Sequence, residues 1–250
     1  MEQYSLGLVS VSFRGHTPQE ILKATHEVGL SCIEWGSDVH APHDDPDRLR
    51  KIADLQKEYG IRCSSYGTYF KFGKTALCEL ENYIRAARML GTDILRLWCG
   101  RKSGADMTAE ERDALIEECC EAARIAEKNG VTLCMECHQK TFTERLEDAL
   151  YLMKAVHSPH FKTYWQPFCE KNADENLAYA KEIAPYAEHI HVFNWQGDKK
   201  LPLEGAIRDW SAYLSAFSIP RTLLLEFMPN DSLEELAVET AALRRIIGDL

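Results

Sequence analysis

The chain has 250 residues, with 29 Lys and Arg against 39 Asp and Glu and 45% hydrophobic residues, an ordinary globular composition that excludes disordered, collagen-like and coiled-coil classes. A formal charge of −10 argues against a nucleic-acid partner, which draws on a basic face. No apolar run is long enough for a bilayer and the N-terminus lacks a basic leader with a cleavage site, so a cytoplasmic protein without membrane attachment is expected.

Short β-rich runs alternate with longer segments of helical periodicity. Strands are predicted over 6–13, 31–35, 61–67, 93–99, 131–136, 161–166, 189–193 and 221–227. Between and after them, apolar spacing predicts helices over 18–28, 46–59, 75–90, 109–129, 142–156, 174–184, 209–217 and 233–250. Capping boxes open three of these helices, at Thr17 with Glu20, Thr108 with Glu111 and Ser232 with Glu235. Glycine closes four, at Gly29, Gly60, Gly91 and Gly130. Eight βα units without a linker imply parallel strands and right-handed crossovers, and at this length they predict a single (β/α)8 TIM barrel over residues 1–250. An open doubly wound sheet would carry a Gly-rich phosphate turn after its first strand; here that turn reads Phe13-Arg14-Gly15-His16.

Nine cysteines in a chain with no export signal read as free thiols. Cys134 and Cys137 form a C-x-x-C, but on a strand positions three apart face opposite ways, and no second pair completes a zinc site.

Chemistry in such barrels sits at the C-terminal ends of the strands. Those ends carry Glu34 and Trp35, Tyr66, Trp98, Glu136 with His138, Gln166, His191 and Glu226. Inward carboxylates in an apolar barrel cost several kcal/mol unless paired or metal-bound. Glu136, Gln166, His191 and Glu226 end four successive strands, and two carboxylates, an imidazole and an amide oxygen suit one divalent ion. Arg96 and Arg101 near the fourth strand are candidates for a phosphate or carboxylate.

With these motifs the chain resembles the xylose isomerase-like TIM barrels, the sugar phosphate isomerase/epimerase superfamily of ketose 3-epimerases, hydroxypyruvate isomerase and inosose-processing enzymes. The resemblance is carried by Val131-Thr-Leu-Cys-Met-Glu136, His189-Ile-His191-Val and Thr222-Leu-Leu-Leu-Glu226. It implies one divalent ion on Glu136, Gln166, His191 and Glu226, with Mn2+ expected and Co2+, Mg2+ or Zn2+ as alternatives. It also implies a sugar isomerase or epimerase that removes a proton beside a carbonyl of a ketose or keto-sugar, with Glu136 and Glu226 as the acid–base pair. Expected substrate contacts are His138, His40, Trp35, Tyr66, Trp98, Arg101 and Trp195. A homodimer is expected on the same ground. Three positions depart from the family pattern: Gln166 replaces an aspartate, Cys169 a histidine, and Gly197, close to Lys199 and Lys200, an arginine. The alternatives are a lyase that eliminates from a keto-glycoside and an inactive sugar-binding barrel. A DNA-repair endonuclease on this barrel would need several zinc ions and a basic surface, and the chain offers neither.

Overall fold

The computed structural model describes residues 4–248. Seven parallel strands follow the N-terminus: β1 Ser5–Val9, β2 Cys32–Gly36, β3 Arg62–Lys71, β4 Ile94–Trp98, β5 Thr132–Glu136, β6 Phe161–Trp165 and β7 Ala187–Val192. A small antiparallel hairpin, β8 Trp195–Gln196 with β9 Lys199–Lys200, interrupts the series, and β10 Thr222–Leu225 closes the barrel against β1. The surrounding helices are α1 Pro18–Glu27, α2 Pro46–Tyr59, α3 Leu80–Leu90, α4 Ala109–Asn129, α5 Leu146–Val156, α6 Ala173–Ile183, α7 Ile207–Leu214 and α8 Leu236–Gly248. The predicted barrel class is therefore the observed one.

Strand alternation divides the side chains into two sets. The outward set packs under the helices in one large apolar core that includes Ile33, Trp35, Leu95, Leu97 and Trp165. The inward set makes a small plug of Val9, Val11, Cys32, Cys134, Tyr164 and Leu224. Cys134 and Cys137 split between the two, since Cys137 accepts from the Tyr179 hydroxyl on α6; all nine cysteines are free thiols.

Boundaries differ from the sequence expectation where side chains take over backbone bonding. The first strand stops at Val9 because Ser10–Phe13 turns as a 3-10 helix. There the Ser10 hydroxyl accepts from Gly36 N and the Ser12 hydroxyl from Phe227 N. β3 runs on to Lys71. The boxes at Thr17 and Thr108 form as expected, and Asn172 with Glu175 adds one at α6. Ser232 forms no box: its hydroxyl accepts from Glu234 N, and the helix starts only at Leu236. The expected final residues 249–250 lie outside the described residues. Gly60, Gly91 and Gly130 close their helices in the left-handed conformation.

Candidate active site

Parity sets which strand-end residues meet at the mouth. On β2, Glu34 points inward with Cys32 while Trp35 points outward. β4 presents Arg96 and Trp98, β5 presents Glu136, β7 presents His191, and Gln166 and Glu226 sit one residue past β6 and β10. Glu136, Gln166, Glu226, His138, Trp98 and Trp195 all line one cavity of about 340 Å³, whose wall also includes Arg96, Arg14 and Tyr69. His191 is fully buried beneath it.

The His191 ring is surrounded by acceptors. Its Nδ1 is 3.1 Å from Gln166 Oε1, 3.4 Å from Glu226 Oε2 and 3.6 Å from Glu136 Oε1. One ring nitrogen can direct at most one proton, so three oxygens converging on it leave at least two unserved. Ligand atoms of Glu136, His191 and Glu226 all lie within 4.8 Å of one another, a cage of hard oxygens and imidazole suited to a divalent cation. On the far side of the ring, Nε2 has no hydrogen-bond partner and faces Glu34 Oε2 at 3.6 Å. A carboxylate behind a metal-binding imidazole fixes the tautomer and ring orientation.

Arg96 links the two ends of this cluster. Its Nε donates to Glu34 Oε1 at 2.8 Å and its Nη1 to Glu136 Oε2 at 2.7 Å. Glu34 also accepts from the Ser65 hydroxyl at 2.9 Å, and Glu136 Oε2 accepts from the Trp98 indole. The close approach requires Gly67, since a Cβ there would lie 2.6 Å from Glu34 Oε1 and 2.8 Å from Arg96 Nη2. Burial opposes ionisation of Glu34, but Arg96 and His191 override it and pull its carboxyl down to about 2. Burial likewise opposes charge on Glu136, and again Arg96 and His191 win, holding it well below the usual carboxylate range. Desolvation disfavours a cationic His191, yet Glu226 and Glu34 raise its pKa well above the ordinary imidazole value. The cage thus calls for positive charge at its centre. With Arg96 offsetting one of the three buried glutamates, the remaining two negative charges match one divalent ion. Gln166 keeps that balance, where an aspartate would add a third charge.

Four expected substrate contacts lie elsewhere. Trp35 is buried under α2, where its indole donates to Gln56 Oε1 at 2.7 Å. Tyr66 shares that outward parity, and its hydroxyl donates to the Ala41 carbonyl at 2.6 Å. His40 is buried between Ser10 Oγ and the His16 carbonyl, each 3.2 Å from a ring nitrogen. Arg101 is exposed and lines a separate depression beside α4. Sequence reasoning missed Arg14. The Arg14 guanidinium donates to Asp38 and to the Tyr69 hydroxyl, both at 2.6 Å, at the cavity rim. The alternation Ser65, Gly67, Tyr69 along β3 carries Tyr69 to that rim. Phe227, next to Glu226, has φ +49°. This strained conformation for a non-glycine residue is held by the bond from Phe227 N to Ser12 Oγ.

The chain belongs to the xylose isomerase-like TIM barrel family, whose family model matches residues 22–239. A 3-dehydroshikimate dehydratase of Bacillus anthracis is 22% identical over 203 residues, 77% of this chain and 71% of that protein. Among solved structures, a probable 3-DHS dehydratase from Bacillus anthracis superposes with a TM-score of 0.76 at 16% identity, covering 97% of this chain and 99% of that one. A D-psicose 3-epimerase from Clostridium cellulolyticum H10 gives a TM-score of 0.72 at 10% identity over 98% of each chain. At these identities the structural likeness establishes the fold. Among the described residues, no helix is long and apolar enough to cross a membrane.

Proposed function

We propose that the protein is a divalent-metal-dependent carbohydrate isomerase or epimerase that moves a proton next to the carbonyl of a ketose or keto-sugar. The observation that carries this reading is the convergence of Glu136, Gln166 and Glu226 on one nitrogen of buried His191 at the barrel mouth. These four residues would hold the ion, with Mn2+ the first candidate. When bound, it supplies a Lewis acid that draws charge toward the carbonyl and hydroxyl oxygens of the sugar.

The remaining work falls to side chains. Glu136 and Glu226 are the two carboxylates of the expected acid–base pair, but their surroundings differ. Glu136 Oε2 already accepts from Arg96 and Trp98, and a carboxylate so held is a weak proton acceptor. Glu226 lies on the cavity wall with His191 as its ion-pair partner and no bond from Arg96 or Trp98, and it takes the proton from carbon. His138 stands two residues past Glu136 with its ring 5.6 Å from that of Trp98, and it orients the substrate. Trp98 and Trp195 supply apolar walls for the ring.

The inequality of the two carboxylates favours a second reading. A single free base suffices for a lyase that removes a proton beside the carbonyl and expels a β-substituent, and the 22% identical relative is a dehydratase. Metal content and solvent exchange test both readings. Wild-type protein should retain about one divalent ion per chain and Glu226→Gln should lose it. In D2O, ketoses and keto-glycosides should take up deuterium beside the carbonyl. An isomerised sugar marks the first reading and a released aglycone the second. Protein that stays empty after exposure to Mn2+ and Zn2+, or that exchanges no proton, sinks both.

A further inference from the structure

The hairpin β8–β9 stands at the cavity mouth on a narrow stem. Leu201 N donates to the Asn194 carbonyl at 2.8 Å and the Asn194 amide donates to the Pro202 carbonyl at 2.7 Å, so the stem closes on itself. Above it Trp195 pairs with Lys200 and Gln196 with Lys199, and Gly197 turns the exposed tip in the left-handed conformation. Among the described residues, two polar contacts tie residues 195–200 to the rest of the barrel. The Trp195 indole donates to the Phe227 carbonyl at 3.4 Å, and the Lys200 ammonium pairs with Asp231. Both contacts end on the segment after β10. We propose that the hairpin is a hinged flap that closes Trp195 over the cavity, and that the Lys200–Asp231 ion pair is its latch.

Space and strain at the hairpin carry this choice. Trp195 borders the cavity with Glu136 and Glu226, and it also borders a separate open hollow lined by Gln196, Leu201, Glu204 and Gly205. Its indole is only half-buried, so a turn about Asn194 and Leu201 moves it toward the hollow without opening the core. The closed position rests on aromatic contacts, with the Trp195 ring 5.3 Å from that of Phe227. The segment it closes against is strained: Phe227, Asn230 and Asp231 have φ of +49°, +58° and +49°. Non-glycine residues keep such a conformation only where their surroundings hold it. Lys200 holds this one at two points, since its ammonium pairs with Asp231 and stands 4.7 Å over the Phe227 ring. Releasing Lys200 therefore frees the hairpin and the strained segment together, which makes two discrete arrangements available. Closed, Trp195 completes the wall and excludes water; open, it admits a small molecule. Lys200 is not part of the cavity wall and acts through Trp195, as a positioning residue. The flap needs only a cavity that takes up a ligand, whichever reaction follows.

The test uses the full chain as purified and two probes of opening. Trypsin cleavage after exposed Lys199, measured relative to cleavage after exposed Lys74, reports release of the hairpin. Maleimide labelling of Cys169, which shares the cavity wall with Trp195, reports access to the cavity, with exposed Cys78 as reference. Asp231→Asn removes the charge of the latch, and asparagine keeps the left-handed conformation there, so the chain should fold. Both ratios should rise about threefold, the effect of one partly exposed ion pair. Lys200→Arg keeps the pair and should label Cys169 at the wild-type ratio. Unchanged cleavage in Asp231→Asn overturns the latch. Faster cleavage with unchanged Cys169 labelling means that the hairpin frays without gating the cavity, and overturns the flap. Labelling as fast in Lys200→Arg as in Asp231→Asn overturns the role of the charge. None of these readings depends on a bound metal or a turned-over sugar, so failure of the proposed function leaves the test standing.

Discussion

At the mouth of the barrel, the C-terminal ends of β5, β6, β7 and β10 carry Glu136, Gln166, His191 and Glu226, whose ligand atoms converge on one point. On the opposite side, the segments after β1 and β2 bring Arg14 and Asp38 against Tyr69 of β3, and these three bond to one another. Both regions are polar and both edge the same cavity, but only the second-half cluster has more acceptors than protons to satisfy them. The first-half cluster is complete without a ligand. Chemistry is expected where polar groups converge without satisfying each other, and packing or rim structure where they do. Glu34 and Arg96 join the two regions, since they belong to the first half by sequence and serve the second by contact.

The largest effect that would sharpen this contrast is on Arg96. Arg96→Met leaves Glu34 and Glu136 buried without their partner, and removing one member of a buried pair costs about 3–5 kcal/mol. Denaturant unfolding of metal-free protein measures it, and adding Glu34→Gln should restore part of the loss. A cost near zero would mean that Arg96 does not link the halves. Gly67→Ala forces a methyl against Glu34 and Arg96 and should destabilise by about 1–3 kcal/mol, the cost of overpacking. Glu34→Gln alone removes the charge behind His191 Nε2 and should weaken divalent-metal binding about 10–100-fold, read by competition with a fluorescent chelator. Unchanged affinity would detach Glu34 from the cage. The smallest effect is expected at Trp35→Phe, which unpairs the Gln56 oxygen under α2 at a cost of about 1 kcal/mol. It should leave metal binding and turnover untouched. A lost activity there would return Trp35 to the site.

Trp35 also shows how legibility in the sequence worked. The eight βα units, most helix caps and the metal-competent ends of β5 to β10 could be read directly, because hydrophobic period, capping chemistry and strand order are local properties. The side chain at a strand end could be assigned to pocket or helix layer only with the parity of its own strand. Glu34 and Trp35 are adjacent, yet one enters the cage and the other the outer core. Tyr66 and Tyr69 on β3 divide in the same way. His40, in a loop, had no parity to consult, and it turns inward to serve Ser10 and the His16 carbonyl.

The sequence by itself determined the barrel class and the residues at the ends of β5 to β10, since both follow from period and spacing along the chain. Tertiary structure alone decided that Arg96 joins Glu34 to Glu136, and that Glu136 accepts from Arg96 and Trp98 while Glu226 faces His191. The physical reason is that these are relations between strands far apart in sequence, fixed by the register in which β2, β4, β5 and β10 close around a shared interior. A one-residue shift in any of those registers would exchange the inward and outward sets.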